Sequence, residues 1–274
     1  MSFRARPTVQ RPTPIVVSVP HAGLRIPSLR ADLADLPRAV FFRDVDFEVP
    51  RIWQRACREL DIPMIEALDH RYALDLNRRP DQIDDSTVSS SGRPAGSEKR
   101  GLFWLSSTRQ EPVLKAPLSR TTADALVREI WTPYNDWIET ELAAARAKFG
   151  FALLIDGHSM PSVGTSFHED PSAERADLVP GDVNGKSCDA RVLQTAQRTA
   201  EGKGFSCRPN LPYSGGGITQ RFGRPTEGLH ALQIEVNRKL YMTEEHIELR
   251  LDGMARLQDW ARDTLNELSR LRLA

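Results

Sequence analysis

Apolar residues gather into short unbroken runs, and two of these stop abruptly at a histidine. Phe151-Ala152-Leu153-Leu154-Ile155 is followed by Asp156-Gly157-His158-Ser159, and Ile15-Val16-Val17-Ser18-Val19 by Pro20-His21-Ala22-Gly23. A third run, Leu229 to Val236, carries a single carboxylate, Glu235, in an otherwise apolar half. Runs this short, with little alternation, predict strands buried on both faces, as in the centre of a parallel sheet. Pro63 to Ala67 predicts one more. In open α/β sheets, ligands bind beyond the carboxyl ends of such strands.

Between the strands the period changes. Ile52, Trp53, Ala56 and Leu60 predict a helix over Val49 to Leu60, with Pro50 tolerated in its first turn. Leu126, Ile130, Trp131, Trp137, Ile138, Leu142 and Ala145 predict a long helix over Thr121 to Lys148, started near Thr122 and Asp124 and kinked or split at Pro133. Ser187 to Ala200 reads as a helix capped by Ser187 and stopped by Gly202. A last helix is expected from a Thr243 cap to about Leu271. Pro27 to Pro37 is a short helical or turn segment. Residues 81–101 and 160–186 lack periodicity and read as loops, of which the first is long enough to imply function or mobility. Residues 1–13 read as a flexible lead-in to one α/β domain over 14–274.

Zero formal charge gives no hint of a polyanionic partner, and no apolar run is long enough to span a bilayer. With 40% apolar and 27% charged residues the composition is that of an ordinary globular protein. The N-terminal residues lack the apolar core of a signal peptide, so a cytoplasmic location is expected. Cys57, Cys188 and Cys207 are scattered, which excludes a thiolate zinc site of the Cys-x-x-Cys kind.

What remains is a metal-site grammar. His21 and His158 come from two strand ends, and a catalytic zinc is held by such imidazoles plus a carboxylate, with one position open. Leu24 occupies the acid position of a His-x-x-Glu motif, so the carboxylate comes from elsewhere: Asp44 or Asp46, with Asp46 preferred. A tight Gly157 turn would present His158, with Asp156 as its orienting partner. Glu235, in a buried run, needs a partner, and an activated water would make it a general base. Asn77-Arg78 and Arg221 suggest an anionic substrate, because a guanidinium fork matches a carboxylate. Gly215-Gly216-Gly217 lacks the Lys-Ser/Thr of a phosphate loop, so it is either a close-approach or a flexible loop. His70, His168, His230 and His246 read as structural or surface residues.

Taken together, these stretches resemble the N-formylglutamate amidohydrolase (deformylase) family. The resemblance runs in order through Ser18–Gly23 with Ile26-Pro27, Asp44–Phe47, Arg71–Arg78, Trp131–Tyr134, Asp156–Ser159, Gly216–Thr219, Gly223–Pro225 and Glu227–Glu235. It implies a distant relationship to zinc carboxypeptidases and aspartoacylases, with a mixed, mostly parallel sheet flanked by helices on both faces. It implies His21 and His158 as zinc ligands and Glu235 as the base; with Asp46 preferred as the third ligand, Asp44 and Asp156 are expected as orienting partners. Asn77 and Arg78 would hold a substrate carboxylate or the reacting carbonyl, and Arg221 the far carboxylate. The implied reaction converts N-formyl-L-glutamate to formate and glutamate, a late step of one histidine-degradation route. The alternatives are a zinc peptidase or deacylase for another N-acyl group and a non-catalytic binder of an anionic metabolite. A buried base argues against the second. Residues 81–115 and Met160-Pro161, in place of a more usual Ile-Arg, depart from the family pattern.

Overall fold

The computed structural model describes residues 1–98, 100–165 and 171–273. Its central sheet has six strands in the order β1-β3-β2-β4-β6-β5: β1 Phe3–Arg6, β2 Ile15–Val19, β3 Met64–Ala67, β4 Ala152–Met160, β5 Leu178–Gly181 and β6 Leu229–Asn237. The inner four, β3, β2, β4 and β6, run parallel, and the edge strands β1 and β5 run antiparallel to their neighbours. Every residue of β2, β4 and β6 is buried, as runs without alternation require.

Burial on both faces produces two cores. Ile15, Val17, Leu153, Ile155, Leu232 and Ile234 pack against α2 (Val49–Glu59), α5 (Ala190–Gly202) and α7 (Leu251–Ser269). Val16, Leu154 and Ala231 point the other way, onto a cluster that includes α3 (Arg120–Leu126) and α4 (Thr132–Phe149). The short helices α1 (Arg38–Phe41) and α6 (Gly217–Phe222) lie in the connections around the carboxyl ends of the strands. Because β2 pairs with β3 on one side and β4 on the other, the chain reverses its direction of travel across the sheet there, which leaves a crevice beyond the ends of β2 and β4.

Several local expectations are corrected. Residues 1–13 are not a loose lead-in: Phe3–Arg6 pairs with β3, and the Asp61 carboxylate accepts from the backbone of Val9 and Gln10. The predicted loop over 160–186 contains β5, whose apolar content is too short to register by pattern. The long helix starts at a Ser119 cap, and it is divided just before Pro133, as the proline suggested. A π turn over Val127–Trp131 precedes Thr132–Phe149, so the place where proline removes an N–H falls in a stretch that is already rewound. Asp189, not Ser187, caps α5, and the Ser187 hydroxyl bonds the Ala231 carbonyl instead. Thr243 does not start the last helix. Met242–Thr243 (β7) and Glu248–Leu249 (β8) form a small hairpin, and α7 begins at Leu251. Among the described residues, no helix is long and apolar enough to cross a membrane.

Candidate metal centre

Parallel pairing sets the site's geometry. Ser18, Asp156 and Gln233 occupy one rung across β2, β4 and β6, and His158 lies opposite Glu235 two residues on. Side chains two apart share a face, so the row that begins with apolar Leu154 and Ala231 turns polar at Asp156 and Gln233. It ends with His158 and Glu235 above the crevice. His158 therefore lies inside the strand and is not presented by a glycine turn, because all nine residues of β4 pair with β6. Gly157 has another reason: a Cβ there would fall 2.5 Å from Nε1 of Trp53, the indole that α2 packs against the strand.

His21 follows β2, and the backbone N–H of Asp46 donates to its carbonyl at 3.0 Å, which anchors the acidic loop to the strand end. The result is a buried cluster of His21, Asp46 and His158 whose ligand atoms all lie within 4.8 Å of one another. Asp46 Oδ2 lies 3.1 Å from His158 Nδ1 and 3.6 Å from His21 Nδ1. The opposite imidazole nitrogens face carboxylates. His21 Nε2 is 2.7 Å from Asp75 Oδ1, and His158 Nε2 is 3.1 Å from Asp156 Oδ2. With a cation bound, each carboxylate would hold its imidazole as the Nε2–H tautomer and leave the Nδ1 lone pair facing inward. His21 Nδ1 is fully buried with no hydrogen-bond partner among the described residues, a costly arrangement that a cation between the three groups would relieve. The donor set of two imidazoles and one carboxylate fits zinc.

Charge follows the same logic. Burial alone would raise the Asp46 carboxyl, but the hydrogen bond with His158 and the charge of the nearby imidazoles hold it well below the usual range. Burial opposes protonation of His158, yet Asp156 and Asp46 override it and favour the cationic ring. The pocket thus attracts positive charge. Burial, with Asp46 nearby, pushes Glu235 up to about 7 against the pull of His158.

The cavity of about 270 Å³ around this cluster is lined by Asn77, Arg78, Ser159, Gln233, Glu235 and Arg238, and by Arg71, Arg100, Trp104 and Thr108. Arg100, Trp104 and Thr108 come from the irregular 81–115 segment, so the stretch that departs from the family pattern forms a wall of the pocket. Asp44 does not touch a ligand imidazole. Its carboxylate accepts from the Tyr72 hydroxyl and from Thr108 Oγ1 and N, tying that wall to the acidic loop. Arg78 donates from Nε to the Arg100 carbonyl and from one terminal nitrogen to the Asn77 carbonyl. Arg221 lies outside this cavity, stacked on Trp131 at 4.6 Å, in a neighbouring hollow that shares Arg78, Gly215 and Gly216 with it. The glycine loop makes a close approach, to Asn77: a Cβ on Gly216 would fall 2.1 Å from its Nδ2. Missed in the sequence were Asp75, which also binds Arg71 and the Asn77 N–H, and Gln233, which bonds Glu235. Asp75 stands two residues before Asn77-Arg78, in a stretch already singled out, and was the one signal available.

His70 and His230 are structural: buried His70 bonds the Phe41 carbonyl and the Tyr72 N–H, and His230 accepts from the Asp189 N–H. His246 is exposed, and His168 lies outside the described residues.

A family model described as N-formylglutamate amidohydrolase matches residues 13–242. The chain belongs to the N-formylglutamate amidohydrolase family. An N-formylglutamate deformylase of Pseudomonas putida is 32% identical over 235 residues, 84% of this chain and 82% of the relative. One from Pseudomonas aeruginosa is 31% identical over 236 residues, 85% of this chain and 83% of the relative. Among solved structures, an N-formylglutamate amidohydrolase from Ralstonia eutropha JMP134 superposes with a TM-score of 0.87 at 26% identity, over 97% of each chain. The α/β architecture with a mostly parallel sheet is therefore that of the family.

Proposed function

We propose that the protein is a zinc-dependent amidohydrolase that converts N-formyl-L-glutamate to formate and glutamate, a late step of histidine degradation. The observation that carries this reading is the pairing of Glu235 with His158 on adjacent strands, with His21 and Asp46 closing the cluster and His21 Nδ1 left bare. The names of the relatives supply the substrate.

His21 Nδ1, Asp46 Oδ2 and His158 Nδ1 would hold the metal, which when bound supplies Lewis acidity to the formyl oxygen and makes water acidic near neutral pH. Glu235, as the carboxylate, accepts a proton from the attacking water while the water oxygen bonds the formyl carbon. When the C–N bond breaks, Glu235 returns that proton to the departing amine. Asn77 and Arg78 orient the reacting carbonyl and the adjacent carboxylate. Arg221 takes the far carboxylate, reached along the wall of Arg78, Gly215 and Gly216 that the two hollows share. Arg238, which bonds Ser159 Oγ and approaches Asp46 Oδ1 at 3.5 Å, keeps the carboxylate ligand oriented.

The test combines zinc content with formate release from N-formyl-L-glutamate. One zinc per chain with formate release supports the reading. Zinc with no formate from this substrate, but with turnover of another N-acyl amino acid, replaces the substrate. Absence of metal under every loading condition removes the site.

A further inference from the structure

Glu235 does not stand alone in its strand. Two residues earlier on the same face, Gln233 Nε2 donates to Glu235 Oε1 at 2.9 Å, and Gln233 Oε1 accepts from the Gly216 N–H at 2.7 Å. Both side chains are buried and line the cavity. Gly216 belongs to the wall shared with the neighbouring hollow, and it is pinned on its other side. Gly217 N donates to the Asn77 carbonyl, and Ile218 N to Asn77 Oδ1. One amide thus joins the loop that walls the substrate cavity to the carboxylate proposed as base. A primary amide suits this post because it offers a donor and an acceptor at once. With Oε1 engaged, the other carboxylate oxygen is left to meet the water.

We infer that Gln233 is a positioning residue for the reaction: it holds Glu235 by one oxygen and ties that carboxylate to the backbone of the glycine loop. This rests on the reading of Glu235 as the base. A Glu235 that swings by about 1 Å would lose roughly 100-fold in rate without losing affinity, because proton transfer depends on geometry more steeply than binding does.

The experiment compares zinc-loaded wild type, Gln233→Leu and Gln233→Glu, measuring zinc content, kcat and KM on N-formyl-L-glutamate and on a panel of other N-acyl amino acids. Assayed at alkaline pH, where the two neighbouring carboxyls no longer share a proton, Gln233→Glu keeps an acceptor for the Gly216 N–H but loses the donor to Glu235, so it separates loop anchoring from positioning of the base. The expected result is full zinc occupancy in both variants, KM within about threefold of wild type, and kcat lower by roughly 100-fold in both. Unchanged kcat in either folded variant would overturn the inference, as would a raised KM at unchanged kcat. If Gln233→Leu fails to fold, Gln233→Glu decides alone. If wild type spares N-formylglutamate but turns over another panel member, the substrate reading fails. The inference is then decided by kcat on that member. If wild type turns over none, both fall.

Discussion

Two halves of the cavity wall are built in opposite ways. One half is strand: His158, Gln233 and Glu235 project from β4 and β6, whose nine rungs of parallel pairing leave no freedom of register. The other half is loop: Arg71, Arg100, Trp104 and Thr108 come from chain with almost no regular structure, held by single buried carboxylates. Asp75 gathers His21, Arg71 and the Asn77 N–H, and Asp44 gathers Tyr72 and Thr108. A sheet fixes a side chain through many cooperative backbone bonds, whereas a loop depends on a few charge-assisted contacts. On the proposed function, groups that must be placed to a fraction of an ångström would fall on the first half, and the wall facing the body of the substrate on the second.

The largest effect should come from the strand half. His158→Ala is expected to abolish stoichiometric zinc binding and to reduce turnover by at least about a thousandfold, the equivalent of several kcal/mol of charge stabilisation. Elemental analysis and formate assays check both. Retained zinc would mean that the loop side alone can hold the metal. Next, Glu235→Gln should keep zinc and lower kcat by roughly 100- to 10,000-fold, the range for losing a general base. Equal losses of metal and rate would instead make Glu235 a ligand.

The loop half should fail differently. Asp44→Ala removes three hydrogen bonds to a buried carboxylate and should cost about 2 kcal/mol or more. Thermal melting should show a Tm lower by several degrees, with zinc content intact and KM raised as the Thr108 wall loosens. A loss of zinc would show that the two halves are not separable.

The smallest effect is a slope. In the metal-free protein the Glu235 carboxyl titrates at about 7, above its ordinary value of 4.5. The folded state then holds the proton more tightly than the unfolded chain does, so this group's contribution is complete below pH 4.5 and is lost as pH rises through about 7. Denaturant melts of metal-free wild type at pH about 5 and about 8 should show that fall, and Glu235→Gln should flatten it. Identical slopes would place the titration elsewhere.

The sequence showed the strand half and hid the loop half, for the same reason. His21, His158 and Glu235 interrupt or terminate apolar runs, and a polar residue where burial is forced is visible without a structure. Asp46 was separable from Asp44 only by preference, because their flanking residues are alike and only the fold decides which carboxylate meets the imidazoles. Asp75 and Gln233 interrupt no apolar run in a telling way: each acts on a near neighbour and on a distant partner, His21 for Asp75 and the Gly216 N–H for Gln233, and only the fold brings those distant partners up. The edge strands β1 and β5 are four residues each, too short for a period to show. Helix starts shifted by a few residues, at Ser119, Asp189 and Leu251, where side chains near each helix end found other partners. Arg221 was singled out because a guanidinium fork suits an anionic substrate, and the sequence said nothing of which hollow it would line. Its stack on Trp131 sets it in the adjoining hollow.

The close packing of the glycines limits how this pocket can be remade. A methyl group at Gly216 or Gly217 would press into Asn77, and one at Gly181 would meet the backbone of Ser214 at 2.7 Å. Directed evolution toward bulkier acyl groups should find no usable alleles on that flank. Adaptive change would be confined to Arg100, Trp104 and Thr108, where the chain can lengthen or shorten without disturbing a single rung of the sheet.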